Sequence, residues 1–132
     1  MTRLLFDTTF LIDAERGGVD VEDVMDDADD VAIAAVTIAE LRAGALLASS
    51  RRKSRRMAFV DDIVATIPVI NYDPEVAEIH AELLVEVRAQ GEPRGAHDLI
   101  IAATARASDR TILSADRTAF RNLPGVSVHS HR

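Results

Sequence analysis

Short apolar runs alternate along the chain with longer stretches in which apolar residues recur every three or four positions. The short runs predict β-strands, and the longer periodic stretches predict helices. This alternation is typical of α/β proteins, in which helices cover both faces of a parallel sheet. We therefore predict an α/β fold with a mostly parallel, twisted central sheet of four to five strands. The strand candidates are Arg3–Phe6, Val31–Val36, Ile67–Asn71, Thr111–Leu113 and Val126–Val128.

Capping signals mark the starts of two predicted helices. Thr8 or Thr9 can cap a short helix that runs to Ala14. Asp73-Pro74 is a stronger start, because Asp caps helices well and Pro suits the first helical position. The other predicted helices are Val19–Asp30, Ile38–Ala48, Met57–Val64 and Asp98–Ala107, and the helix after Pro74 is expected to bury Val76, Ile79, Leu83 and Val87.

The composition favours one soluble domain over residues 1–132. Of these residues 48% are hydrophobic, which argues against disorder, and a chain of this length usually forms a single core. No apolar run approaches the roughly 20 residues that cross a bilayer, so we expect a cytoplasmic protein without a membrane partner. The absence of Cys excludes disulfides, thiolate zinc sites and a cysteine nucleophile.

Four carboxylates occur where local structure does not require a charge. Asp7 and Asp116 follow predicted strands, and ligands bind at the carboxyl ends of parallel strands in such sheets. Glu40 and Asp98 belong to helices that are otherwise almost entirely apolar. A lone carboxylate costs several kcal/mol to bury unless it is paired or coordinated. These four residues are therefore the candidate catalytic and metal-binding set.

Each of these carboxylates also has an ordinary structural interpretation. Asp98 can cap a helix, and Asp116 can be a turn residue. Glu40 can be the capping-box partner of Thr37, which precedes it by three residues. Asp7 is harder to explain in this way. What favours a site is that all four acids occur in segments otherwise predicted to be buried.

The chemistry of the four side chains indicates which metal they would hold. Hard oxygen ligands without Cys match Mg²⁺ or Mn²⁺ better than zinc. Such ions polarise a phosphate, lower the pKa of an attacking water and stabilise the departing oxygen, so the cluster suits phosphoryl chemistry. Without metal the carboxylates repel one another, and at least one is expected to have a raised pKa.

Four short motifs surround these acids along the chain. They are Leu5-Phe6-Asp7-Thr8-Thr9-Phe10-Leu11-Ile12, Thr37-Ile38-Ala39-Glu40-Leu41, Ala96-His97-Asp98-Leu99-Ile100-Ile101-Ala102-Ala103 and Leu113-Ser114-Ala115-Asp116. In this order they look like the acidic motifs of PIN-domain nucleases, and the chain from Arg3 to about Val128 is similar to VapC toxins of bacterial toxin–antitoxin modules. Ser114-Ala115 departs from the Thr or Asn that the family often has before the last Asp, which leaves one supporting contact of this Asp open.

The resemblance implies a function and a set of partners. It implies Mg²⁺- or Mn²⁺-dependent endoribonuclease activity on structured RNA such as tRNA or rRNA. By the same resemblance the chain forms a homodimer and is neutralised by a VapB-type antitoxin, which commonly places a basic side chain near the acidic pocket. Asp7, Glu40, Asp98 and Asp116 carry over as the catalytic quartet. Thr9 matches a small polar position that supports the first Asp or a bound water.

The charge distribution decides whether RNA can be a partner. The chain has 22 acidic and 15 basic residues and a net charge of −7, which at first disfavours nucleic acid. Residues 19–30 contain seven acids and no base, so the rest of the chain is formally balanced. His97 adjoins Asp98 and could approach the site, but it is interpreted as a polar residue that flanks a helix. The candidates for contacting RNA phosphates are Arg51, Arg52, Arg55 and Arg56, which share helix faces at the i,i+4 spacing. The alternative interpretations are a solvated helix start and a set of salt-bridge partners for the acidic helix predicted at Val19–Asp30.

Three other protein classes are weaker matches. A phosphorelay receiver domain needs a Lys after a late strand, but Lys53 is the single Lys of this chain. A haloacid-dehalogenase-type phosphatase needs a second Asp two residues after the first, where this chain has Thr9. A non-catalytic PIN-like interaction module stays open as an alternative, although all four acids are intact.

Overall fold

The computed structural model describes residues 2–24, 26–116 and 118–130. In this part of the chain, no helix is both long and apolar enough to cross a membrane. The strands are β1 (Arg3–Phe6), β2 (Asp30–Ala34), β3 (Val69–Ile70), β4 (Thr111–Ser114) and β5 (Val128–Ser130). The helices are α1 (Thr8–Glu15), α2 (Val21–Val24), α3 (Ala35–Leu47), α4 (Ser50–Thr66), α5 (Pro74–Gln90) and α6 (Ala96–Ala107).

The strand β1 lies at the centre of the sheet, whose order is β3-β2-β1-β4-β5. Every pairing between these strands is parallel. Leu5 pairs with Ala32 of β2 and with Ile112 of β4, so the central strands are in step. The chain moves outward from β1 to β3 and returns beside β1 as β4, which opens a crevice at the carboxyl ends of β1 and β4. The predicted parallel α/β sheet is confirmed.

Both faces of the sheet are buried by helices. Along β1, Leu5 faces the cluster formed with α5 and α6, whereas Leu4 and Phe6 face the cluster formed with α1, α3 and α4. This alternation follows from the two-residue repeat of a strand, and burial on both faces is usual for parallel sheets. The helix after Pro74 begins at its predicted cap, because the Asp73 carboxylate accepts a hydrogen bond from the Val76 amide at 2.9 Å.

The acidic segment at residues 19–30 is not the continuous helix that its spacing predicts. Only Val21–Val24 is helical among its described residues, Met25 lies outside them, and Asp30 already belongs to β2. The Asp29 carboxylate accepts hydrogen bonds from the amides of Asp26 and Thr2, at 2.9 and 3.0 Å. Short acidic side chains favour such local bonds to the backbone over a helix interior. These bonds also lower the pKa of Asp29.

Two predicted helix caps are also wrong. Asp7, rather than Thr8 or Thr9, is the N-cap of α1. The helix α3 follows β2 directly with Ala34 at its N-cap position, so Thr37 lies inside the helix and Glu40 has no capping-box role. Ala at three of the four positions 32–35 allows helix to replace strand early. The last strand lies two residues later than predicted, at Val128–Ser130 instead of Val126–Val128.

Candidate active site

Asp7 occupies the carboxyl end of the central strand. It is 2% exposed and caps α1 through the Phe10 amide, which donates to its Oδ1 at 2.9 Å. Burial raises the pKa of Asp7 despite the hydrogen bonds it accepts, and the charge of Asp116 adds to the effect. The hydrogen bond to the helix fixes the orientation of this buried carboxylate. A nearby cation would favour its ionised form.

Two hydroxyl groups connect Asp7 to the end of β4. Ser114 donates to Asp7 Oδ2 at 2.6 Å and accepts a bond from the Asp116 amide at 2.9 Å. Thr9 donates to Asp7 Oδ1 at 2.9 Å and accepts from the Ala115 amide at 3.1 Å. Thr9 therefore contacts Asp7, as its position in the motif suggested. Ser114, where the chain departs from the family pattern, also contacts Asp7 and the backbone of Asp116.

Asp116 lies at the start of the turn that follows β4. Its Oδ1 accepts bonds from the Thr118 amide at 2.8 Å, the Thr118 hydroxyl at 2.9 Å and the Ala119 amide at 3.2 Å. These bonds lower the pKa of Asp116, which is therefore a stable anion. Asp116 is indeed a turn residue. Its Oδ2 accepts no hydrogen bond from the described residues, so this second oxygen is available to other partners.

Glu40 reaches the same region from the second turn of α3. Its Oε1 accepts a bond from the Thr8 hydroxyl at 2.6 Å, and its Oε2 lies 3.4 Å from Nδ1 of His97. His97 is 57% exposed at its side chain and contacts a predicted site residue, so it does more than flank the helix. The sequence analysis named Thr8 only as a possible helix cap and not as a residue of the site, although it adjoins Asp7 in the first motif.

Asp98 is the carboxylate with the fewest partners. It lies in the first turn of α6, whose N-cap is Gly95, so Asp98 is not the cap. It is half-buried, and no described residue donates a hydrogen bond to it. Burial raises its pKa, followed by the charges of Glu40, Asp7 and Asp116. The structure thus brings the other three predicted carboxylates within electrostatic reach of Asp98.

The four side chains form a region of excess negative charge rather than a finished metal site. No three His, Asp or Glu side chains among the described residues are grouped closely enough to hold an ion as they stand. The donor set is nevertheless made of hard oxygens, which suit Mg²⁺ or Mn²⁺. Burial and then the neighbouring carboxylates raise the pKa of Asp98, and a divalent cation would favour its ionised form by relieving the repulsion.

Two open clefts adjoin Asp98. One, of about 350 Å³, lies between Asp98 and Asp116 and is also lined by Arg94, Thr118 and Arg121. The other, of about 300 Å³, is lined by Glu40, His97 and Asp98. Both are wide open to solvent, which suits a polymer better than an enclosed small molecule.

The predicted basic cluster belongs to the first half of α4 and is not among the carboxylates. Arg51, Arg52 and Arg55 are exposed, and Arg55 lies 3.8 Å from a carboxylate oxygen of Glu15. Arg56 is half-buried and lines an apolar cavity of about 150 Å³ that Glu40 also borders. The cluster therefore approaches the carboxylates from one side, through Arg56.

Comparisons with known proteins agree with this geometry. The model of the PIN domain family matches residues 4–126. A tRNA(fMet)-specific endonuclease VapC from Shigella flexneri is 31% identical over 71% of this chain and 70% of its own length. VapBC2 from Rickettsia felis, solved with a promoter DNA fragment, has a similar fold, with a TM-score of 0.89 at 19% identity over 99% of this chain and 100% of that one. VapBC-5 from Mycobacterium tuberculosis is 25% identical, with a TM-score of 0.79 over 100% of this chain and 99% of its own. The chain belongs to the PIN domain family.

Proposed function

We propose that this PIN-domain chain is a Mg²⁺- or Mn²⁺-dependent endoribonuclease and the toxin of a toxin–antitoxin pair. Asp7, Glu40, Asp98 and Asp116 would hold the metal. The observation that carries the proposal is Asp98, a half-buried carboxylate that lies near the other three without a hydrogen-bond donor among the described residues. Burial raises its pKa, and the charges of Glu40, Asp7 and Asp116 raise it further. PIN nucleases generally depend on divalent metal, which agrees with this donor set.

The residues of the chain divide the work of the site. A bound divalent ion would polarise the scissile phosphate and lower the pKa of the attacking water. Asp7 is fixed by Ser114, Thr9 and the amide of Phe10, so it offers an oriented carboxylate. Asp116 keeps one oxygen on the turn amides and presents the other. These fixed contacts reduce the reorganisation that metal binding would otherwise require.

The substrate proposed is structured RNA of the tRNA or rRNA class. The Shigella flexneri relative is named for cleavage of a tRNA, which supports this class. The chain has one Tyr, four Phe and no Trp, and all four Phe are buried or half-buried, so stacking contributes little. We propose that Arg51, Arg52, Arg55 and Arg56 bind the RNA backbone on the α4 side.

The partner proposed is a VapB-type antitoxin, with the chain itself forming a homodimer in the cytoplasm. Similar solved structures are VapBC and FitAB assemblies, which supports an antitoxin partner. We propose the cytoplasm because both the RNA substrate and the antitoxin would be available there. The surplus of negative charge around Asp98 also suits a basic side chain from the antitoxin.

Cleavage of total RNA by the purified chain tests the metal proposal. Asp98→Asn and Asp7→Asn are compared with Asp73→Asn, because all three lose one carboxylate. Asn caps helices about as well as Asp, so the helices capped by Asp7 and Asp73 are expected to remain. Wild type and Asp73→Asn should cleave RNA with Mg²⁺ and stop when chelator is added. The two site variants should not cleave.

The same experiment identifies the cleavage products and includes the outcomes that would contradict the proposal. Mapped cleavage ends would show which RNA is cut. Cleavage by the Asp98→Asn protein, or cleavage by wild type in chelator, would contradict the proposed metal site. A chain that binds Mn²⁺ in calorimetry but leaves RNA intact would favour the non-catalytic PIN-like module.

A further inference from the structure

The side chain of Arg94 is buried although it lies in a loop, where charged side chains are usually exposed. Its side chain is only 6% exposed, and it lies between Pro93 and Gly95 in the loop that connects α5 and α6. A guanidinium is costly to bury unless its N–H groups find acceptors. The partners of Arg94 are therefore informative.

The guanidinium binds the backbone of the turn that follows Asp116. Nη1 donates to the carbonyl oxygens of Thr118 at 3.3 Å and Ala119 at 3.1 Å. Nη2 donates to the carbonyl oxygen of Arg121 and to a carboxylate oxygen of Glu92 at 3.4 Å. Three carbonyl groups of one turn thus converge on one side chain, and Glu92 compensates its charge.

The amides of the same turn are the ones that hold Asp116. Thr118 and Ala119 donate their N–H groups to Asp116 Oδ1 and give their carbonyls to Arg94. Arg94 also directly precedes Gly95, the N-cap of the helix that carries Asp98. It therefore joins the two segments that present Asp116 and Asp98, on either side of the cleft of about 350 Å³.

We propose that Arg94 is a positioning residue that fixes the Asp116 turn against the start of α6 and so sets the separation of two metal-binding carboxylates. This inference rests on the proposed metal-dependent function. Asp116 and Asp98 repel each other in the absence of a cation, so the turn needs a fixed attachment to keep them facing. Partners that orient metal ligands commonly change metal affinity about 10- to 100-fold when they are removed.

Arginine is suited to this role because its planar fork reaches several acceptors at once. Lysine keeps the positive charge but presents a single ammonium group, which cannot reproduce the same set of bonds. Both the amide exchange rates and the Mn²⁺ affinity of Arg94→Lys are therefore expected to lie between those of wild type and Arg94→Met. Arg106→Met is the matched control, because the polar partners of Arg106 are the Pro124 carbonyl at 3.4 Å and Glu82 at 3.0 Å, which both lie outside residues 118–121.

Amide hydrogen exchange in the full-length chain, measured by NMR with chelator present, tests the attachment independently of activity. In Arg94→Met the Thr118 and Ala119 amides should exchange about tenfold faster or more, whereas amides in the centre of α5 keep their protection. Arg106→Met should leave Thr118 and Ala119 unchanged. Equal exchange at these two amides in Arg94→Met and Arg106→Met would overturn the inference.

Calorimetry with Mn²⁺ tests the consequence for the metal. The Mn²⁺ dissociation constant should rise about 10- to 100-fold in Arg94→Met, less in Arg94→Lys and not in Arg106→Met. Arg94→Met with faster exchange but wild-type Mn²⁺ affinity would show that the turn is attached without positioning the site. If Arg94→Met does not fold, Arg94→Lys is subject to the same two criteria. Failure of the wild type itself to bind Mn²⁺ would overturn the proposed function, while the exchange result would still judge the attachment.

Discussion

Asp98 and Gly95 show how closely single residues are fitted at the start of α6. A Cβ atom on Gly95 would lie 2.8 Å from Oδ2 of Asp98, so the carboxylate would have to move. The backbone of Gly95 has φ of −61°, which alanine adopts without strain. Because the side chain of Asp98 can rotate, the fold should tolerate the added methyl group.

Gly95→Ala should therefore reduce activity without reducing stability. A displacement of about 1 Å at a reacting centre can cost roughly 100-fold in rate. The gain of about 0.4–1 kcal/mol from Gly→Ala at a permissive φ offsets the weaker preference for Ala at the N-cap of α6, so the stability should change little. RNA cleavage rates and thermal unfolding of the same preparation provide the measurement. Gly44→Ala is the control, since its Cβ would meet nothing within 4 Å. Equal activity of the two variants would show that the position of Asp98 is not critical.

Ser114 has a double contact that can be tested by a single deletion. Ser114→Ala removes the donor to Asp7 Oδ2 and the acceptor of the Asp116 amide, both in buried or half-buried surroundings. Leaving such groups unpaired costs about 1–3 kcal/mol. We expect a lower urea midpoint and slower cleavage, with Ser114→Thr restoring both. A Ser114→Ala protein with unchanged midpoint would indicate that other groups replace the hydroxyl.

Residues whose chemistry conflicts with their local pattern were the ones that sequence could identify. Asp7 and Asp98 interrupt apolar segments, and Thr9 lies within a motif, so each is visible without a structure. The role of Arg94 is not visible in this way, because its carbonyl acceptors follow it by 24 to 27 residues. They become its neighbours only when the loop before α6 meets the turn after β4. The contact of Thr8 with Glu40 spans 32 residues and is hidden for the same reason.

At the scale of the element, α4 is one helix with two different halves. The basic cluster begins it, and Val60 and Ile63 anchor its second half in the core. The helical spacing of both halves was visible in sequence. Their continuity was less so, because the first half has almost no apolar residue to mark a buried face.

The basic half of α4 provides a test of RNA binding. Arg52→Gln together with Arg56→Gln should weaken RNA binding and reduce the slope of log affinity against log salt by about 1.4 to 1.8, since each phosphate contact contributes roughly 0.7 on a single strand and roughly 0.9 on a duplex. Arg3→Gln together with Arg88→Gln removes the same charge elsewhere and should leave the slope unchanged. Binding is measured with the Asp98→Asn protein so that the RNA stays intact. Equal slopes for the two double variants would place the RNA elsewhere.

Element boundaries were predicted well where a cap was strong and poorly where acids were crowded. Asp73, Pro74 and Gly91 delimit α5 as the sequence suggests, with Gly91 at φ of 71°, which glycine adopts easily. The acidic segment has helical spacing but forms a turn around Asp29. Periodicity reports only the buried face, whereas the bonds of Asp29 to Asp26 and Thr2 depend on the start of β1 lying nearby.

At the scale of the whole molecule, the alternation of strands and helices predicted the class of sheet but not its order. The central place of β1 follows from pairings between residues far apart in sequence, such as Leu5 with Ile112. That order is what brings Asp7 beside Asp116, and the burial of Asp7 follows from it. Because burial and neighbouring charges shift the pKa values of these carboxylates, the free energy of unfolding depends on their ionisation.

The linkage has opposite signs for different carboxylates. Asp7 and Asp98 have pKa values raised above 3.8, so their contribution to stability is full below pH 3.8 and is lost as the pH rises through their folded-state pKa values. Asp116 and Asp29 have lowered pKa values, so their contribution is present above pH 3.8 and is lost as the pH falls through their folded-state pKa values. At neutral pH without metal, the ionised Asp98 therefore destabilises the folded chain.

Asp98→Asn should for this reason be more stable than wild type in chelator at neutral pH, by about 1 kcal/mol at most because solvent screens a half-exposed group. The difference should shrink as the pH is lowered toward 3.8, where the wild-type carboxyl becomes protonated in the folded chain. Saturating Mg²⁺ should reverse the order, since the ion stabilises only the chain that binds it. Thermal unfolding at several pH values, with and without Mg²⁺, measures all three effects, and Asp73→Asn should follow wild type in its response to the metal. A wild-type chain whose stability is indifferent to Mg²⁺ at every pH would contradict the link between these carboxylates and a cation, because relief of their repulsion is the physical basis of the proposed site.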